Sequence, residues 1–247
     1  MENEVEVVEE ISLPGRLIMV LFAPQTAFTA LKSRCTWADW AVPAIIVAIV
    51  AMISTSLTFP IITKEQMAEQ QERIEENPNM TAEQKAQAIE AMGKMQGLGR
   101  VAGLVGVPVG VAAGLCVQAA VFLFGLNFLL GSRGTYRELL AITGYSMMTA
   151  IPELIVKTPL IIAKGTMKVF TGLGLLLPLE GEKGFLYHAL SSVDLFTVWQ
   201  MVLISIGIGT LYTMPAKRAG SVVFAFWVIW ILISSTLRGF AGGFMGG

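Results

Sequence analysis

Five apolar stretches, each about long enough to cross a bilayer, occupy well over half of the chain. A hydrocarbon core about 30 Å thick takes roughly 20 apolar residues in a helix, and a helix satisfies its own backbone polar groups where no water can. The stretches lie at about 40–62, 100–130, 138–162, 193–212 and 220–237. They predict an all-α integral membrane protein with five transmembrane helices. Charged residues make up 14% of the chain, where a soluble domain carries roughly 25%. The mean hydropathy is +0.67.

The segments between the spans have distinct characters. Residues 1–12 are acidic and are expected to be disordered. Such a start lacks the basic region of a secretory signal peptide, so the first span is expected to stay as an anchor. The membrane domain is read as 13–237. Within 13–34, a short apolar run from Leu17 to Phe22 lies between Pro14 and Pro24. It is too short to cross and predicts two N-terminal interfacial helices. Trp37 and Trp40 follow, where an aromatic belt would sit. Residues 63–98 are rich in Glu, Gln, Met and Ala and predict an extramembrane helical hairpin. Asn77-Pro78-Asn79 breaks it, and Thr81 with Gln84 restarts it as a capping box. Gly131–Arg137 and Thr213–Ala219 read as tight turns, and 163–192 as a long loop. Its apolar patch, Leu173 to Leu179, is expected to dip into the interface or cover a helix end. Residues 238–247 read as a flexible Gly-rich tail.

Several function classes find no support. The net charge of −1 argues against nucleic acid and against a polybasic grip on anionic lipid. Cys35 and Cys116 are placed too far apart to imply a disulfide framework. His188 is the one histidine, in a predicted loop, and no metal-ligand spacing accompanies it. Nucleophile elbow, zinc-protease helix and phosphate loop are all missing, so no catalytic residue, cofactor or metal is expected. The raw count of basic residues leaves the orientation open, but Arg133, Arg137, Lys217 and Arg218 crowd the two tight turns, and short loops count most, which favours a cytoplasmic N-terminus.

A few side chains within the spans carry information. Gly99, Gly103, Gly106, Gly110 and Gly114 form overlapping small-xxx-small pairs on one helix face. They read as helix packing within the monomer, or alternatively as a seam for a second copy or a partner. Pro108 among them is expected to bend the helix. Glu153 and Lys157 are spaced i, i+4 in the favourable order for a pair. Either Pro152 ends the buried part of the span early and leaves them to headgroups or the long loop, or they form a structural intramembrane pair or a relay site. Asp194 suits the first turn of the fourth span, with Ser191 or Ser192 as its cap. Gln118, Asn127 and Gln200 are expected to bond between helices.

Gly134-Thr-Tyr136-Arg137, then Ala141-Ile-Thr-Gly144-Tyr145, and Pro152 resemble the Yip-domain family of five-span membrane proteins, named for interaction with Ypt/Rab GTPases. Asp194-Leu-Phe196 running to Trp199 looks like the start of a span common in bacterial members, and Pro24-x-x-Ala27-Phe28 also fits. The resemblance covers about residues 14–237. It implies a five-helix bundle with a cytoplasmic N-terminus in the bacterial inner membrane, embedded in lipid. The chain looks bacterial, where no Rab system is expected, and carries an extra polar hairpin between its first and second spans, so the Rab-binding role of the eukaryotic relatives is not expected to carry over. The resulting expectation is a non-enzymatic membrane adaptor or scaffold with a membrane-protein partner or a second copy of itself, and no nucleic acid. The alternative is a small transporter, channel or lipid-handling protein that uses Glu153 and Lys157.

Overall fold

The structure, a computed structural model, describes residues 11–33, 35–177 and 184–244. The acidic residues 1–10, Arg34, part of the long loop and the last three glycine-rich residues lie outside the described set. The described residues form nine α-helices, joined by short 3-10 and π turns. They are α1 (Leu13–Phe22), α2 (Pro24–Ser33), α3 (Ala38–Glu76), α4 (Ala82–Phe124), α5 (Tyr136–Ser146), α6 (Ala150–Lys164), α7 (Phe185–Ser191), α8 (Leu195–Leu211) and α9 (Ala216–Phe244). Among the described residues the one β element is an isolated bridge between Gly172 and Asp194.

Four helical stretches are long and apolar enough to cross a membrane: α3, Gly99–Leu129, Tyr136–Lys164 and Ala216–Leu237. Helix α8 is apolar but shorter, at 17 residues. The sequence separates the first two spans from the polar hairpin, whereas the structure joins each span and its hairpin arm into one helix. Helices α3 and α4 have 39 and 43 residues, and each is therefore about 60 Å long. No breaker stands between Ile62 and Glu76, so propensity carries α3 out of its apolar part. The break comes at 77–81. There Thr81 N donates to Gln84 Oε1 at 2.9 Å and Gln84 N to Thr81 Oγ1 at 3.3 Å, the reciprocal bonds of a capping box. The expected tail is also shorter, because α9 runs on to Phe244.

Tyr136–Lys164 is interrupted at Met147–Thr149 by a 3-10 turn. Pro152 has no N–H for the carbonyl four residues back, and the backbone tightens just before it. The helix then resumes as α6, so Pro152 does not end it. Gly165, in the left-handed region at φ 63°, closes α6 by donating its N–H to Ile161 O at 2.9 Å.

Tertiary contacts divide the chain into two compact units. The first comprises the described parts of Met1–Ala44, Leu115–Met148 and Trp199–Ala225. Here α1 and α2 pack as a pair and bury Leu17, Val20, Ala27, Phe28 and Leu31, while Ile18 and Phe22 stay exposed. Helix α8 passes close to its neighbours at Gly207, where a Cβ would come within 2.7 Å of Ile142 and 3.0 Å of Phe28. Asn127 folds back on the following turn, accepting from Gly134 N at 2.7 Å and donating to Gly134 O at 3.1 Å. It therefore serves its own turn instead of bridging helices. Gln200 and Gln118 do bond each other, at 3.2 Å.

The second unit comprises Ile45–Gly114, Thr149–Val198 and the described part of Phe226–Gly247. Ser54 of α3 and Thr158 of α6 share a hydroxyl hydrogen bond of 2.7 Å. Further along α3, Glu65 accepts from Thr166 Oγ1 at 2.5 Å and Met167 N at 3.1 Å, which ties the start of the long loop to that helix. The described part of the loop is more ordered than its composition suggests. It holds a 3-10 turn at Leu173–Leu176 and the short helix α7, on which His188 lies. Leu175 and Leu176 stay exposed.

Candidate functional site

The pair read from the α6 spacing has a third member. Lys157 Nζ lies 2.6 Å from Glu153 Oε1 and 2.8 Å from Asp194 Oδ2. Helical periodicity sets the first contact, one turn apart on α6. The second depends on the loop returning Asp194 to the start of α8. That return needs glycine at 172, because a Cβ there would lie 2.1 Å from Val193 O. The loop is held by Leu173 N donating to Val193 O at 3.0 Å.

Asp194 is the best-connected residue of the three. Its Oδ1 accepts from Phe196 N at 2.8 Å, and its backbone carbonyl accepts from Val198 N at 3.0 Å. It is thus the N-cap of α8. Ser191 and Ser192 do not cap this helix. Both hydroxyls turn back to His188 O, at 3.1 and 2.7 Å. Thr171 Oγ1 also donates to Asp194 Oδ2. Beside Lys157 and Asp194 lies a cavity of about 230 Å³, lined in part by these two residues, Phe170 and Thr171. With two carboxylates and one ammonium, the group carries a formal charge of −1. It contains no nucleophile–base pair, and among the described residues no group of three or more His, Cys, Asp or Glu is placed to hold a metal.

A second polar cluster, not foreseen from the sequence, sits in the first unit. Asp39 is fully buried in the first turn of α3. Its Oδ2 accepts from Thr36 N at 2.6 Å and Thr36 Oγ1 at 2.8 Å. Its Oδ1 accepts from Tyr145 OH at 2.9 Å and lies 3.1 Å from an Arg16 nitrogen. Four donors around one buried carboxylate are what keeps such a charge affordable in an apolar setting. The preceding residue explains how Tyr145 gets there. A Cβ on Gly144 would lie 3.2 Å from Trp40 Cα and O, so α5 approaches α3 almost backbone to backbone. Tyr136 donates to Cys116 O at 3.0 Å, and Phe196 is buried. Trp199, on α8, is partly exposed. Cys35 and Cys116 are both free thiols.

The glycine face of α4 behaves differently from its expected packing role. A Cβ on Gly99, Gly103, Gly106, Gly110 or Gly114 would meet nothing within 4 Å. At about 100° per residue the five fall within an arc of about 80°. Among the described residues of the second unit, no helix packs against that face. Pro108 lies inside α4, which continues through it.

Apolar helices of membrane-crossing length, with charged side chains gathered into paired clusters, define a polytopic α-helical integral membrane protein. The model of the Yip1 domain matches residues 18–237, nearly the whole chain, and the protein belongs to that family. No curated protein and no solved structure matches it.

Proposed function

We propose that this chain is a non-enzymatic membrane adaptor or scaffold that binds another transmembrane helix along the glycine face of α4. The observation that carries this reading is the empty space over all five glycines. A small-xxx-small face lets a second backbone approach closely, and packing and weak Cα–H contacts then hold the pair. Membership of the Yip1 family is consistent with protein partners. In this reading α8 is the fifth span, since 17 residues meets the lower limit for crossing. Helices α1 and α2 lie in the interface, with Ile18 and Phe22 toward lipid. The N-terminus is cytoplasmic, in a bacterial inner membrane.

The test is site-directed photo-cross-linking in the native membrane. A cross-linker at position 110 should capture a defined protein, or a second copy of this chain. One at position 105, exposed but about 140° away on the helix, should not. Gly110→Leu should abolish co-purification of the captured protein. Capture with equal yield from both positions would show that α4 meets only passing neighbours and would remove the seam.

A second reading has its own observation, the cavity beside Lys157 and Asp194. Charged groups inside a membrane often line a solute path, so a transporter or lipid-handling role would run through this cluster. It requires flux in proteoliposomes that falls in Glu153→Gln. Equal flux in wild type and variant would take Glu153 out of any such path.

A further inference from the structure

A separate groove of about 570 Å³ lies within the first unit, between one face of α2 and the C-terminal end of α8. Gln25, Thr29 and Lys32 are spaced i, i+4, i+7, so they line one side of α2 over about 10 Å. Thr26 joins them, and Thr210 and Thr213 supply the other wall. The lining therefore offers one ammonium, four hydroxyls and one amide, with no carboxylate.

Hydroxyls and amides serve ligands of either charge, so Lys32 sets the sign. Its Nζ donates to Thr213 Oγ1 at 3.2 Å and meets no carboxylate among the described residues. Gln25 and Thr26 stand in the first turn of α2, where the backbone N–H groups have no carbonyl four residues back within the helix. Thr213 lies in the turn that follows α8. Its φ is 53°, and it is the one non-glycine residue with positive φ among those described. A β-branched residue is rare in that region; here it closes the end of α8, with Met214 N donating to Gly209 O at 3.0 Å. Here the turn presents the Thr213 hydroxyl to Lys32.

We propose that this groove binds a phosphate group, whose oxygens take the Lys32 ammonium and the surrounding threonine hydroxyls. Charge-assisted bonds to phosphate are the strong ones in such a set. A phospholipid headgroup and free phosphate share this chemistry. The site is independent of the α4 seam and stands whether or not the adaptor reading does.

The experiment uses the full chain in micelles of a phosphate-free maltoside detergent and follows thermal unfolding. One arm adds phosphatidylglycerol, with diacylglycerol of the same chains as the control. The other adds inorganic phosphate, with chloride at matched ionic strength. A ligand that binds the native state raises the midpoint, so at least one arm should raise it by several degrees over its control. Lys32→Met should remove most of that shift, and Lys32→Arg should retain it. Lys217→Met, an exposed cation on the neighbouring turn but outside the groove, should leave it unchanged. A shift with phosphatidylglycerol alone assigns the site to lipid, and a shift with phosphate alone assigns it to a soluble source. No shift in either arm overturns the proposal. So does an equal shift in Lys32→Met, or an equal loss in Lys217→Met, which would make the effect one of general surface charge.

Discussion

Replacing Asp194 with alanine removes two supports that can be separated. The first is the α8 cap, an Oδ1 acceptor 2.8 Å from Phe196 N; losing such a cap costs about 1 kcal/mol. The second is the ion pair with Lys157 at 2.8 Å. Breaking a fully buried pair costs about 3–5 kcal/mol, while an exposed one is worth about 0–1 kcal/mol. The Asp194 and Lys157 side chains are 10% and 21% exposed, and Lys157 keeps Glu153. An intermediate cost of about 1.5–2 kcal/mol follows, for a total near 3 kcal/mol in Asp194→Ala. Asparagine caps about as well as aspartate, so Asp194→Asn should lose the ion pair alone and be milder by about 1 kcal/mol. Unfolding in mixed micelles, followed by circular dichroism, measures both. At about 2–4 °C per kcal/mol for a chain of this size, the two variants should fall by clearly different amounts. Combining Asp194→Asn with Lys157→Met should be non-additive by about 1 kcal/mol or more. Equal losses for the alanine and asparagine variants would refute the capping role. A neutral Asp194→Asn, or a strictly additive pair, would refute the ionic one.

Further outcomes follow from the same geometry. Gly144→Ala should destabilise by about 1–3 kcal/mol through overpacking against Trp40. Gly106→Ala, on the open face, should be neutral or stabilising by up to about 1 kcal/mol, since alanine is the better helix former; unfolding midpoints that rank the two the other way would show the packing to be misassigned. Tyr145→Phe withdraws one of the four donors around Asp39 and should cost about 1–3 kcal/mol, with a drop of less than 0.5 kcal/mol marking that bond as dispensable.

Features that depend on neighbours along the chain were legible before any fold was known. The apolar runs, the break at Asn77-Pro78-Asn79, the Thr81/Gln84 box and the Glu153–Lys157 pair all rest on helix propensity and the 3.6-residue repeat. Even the misplaced serine cap was wrong by only two or three residues, because Asp, Ser and Asn are nearly equivalent caps. The polar clusters were legible only in part. Lys157 pointed to Glu153, but nothing in its surroundings pointed to Asp194, which lies 37 residues further on and is brought back by the long loop. Arg16, Asp39 and Tyr145 come from three distant segments, and none carries a local sign that it will be buried with the others.

The glycines show where sequence stops deciding. By spacing alone, the α4 series is the packing motif and Gly144 is unremarkable. In the fold the series is open, while Gly144 sits 3.2 Å from a neighbouring backbone. The sequence by itself determined that the chain carries apolar helices of membrane-crossing length, that its polar segment breaks at Asn77-Pro78-Asn79, and which side chains share a helix face. Only the tertiary structure decided which faces meet. A helical repeat places residues on a face through bonds four residues apart, but what covers that face is chosen by side chains remote in sequence, through packing that no local pattern encodes.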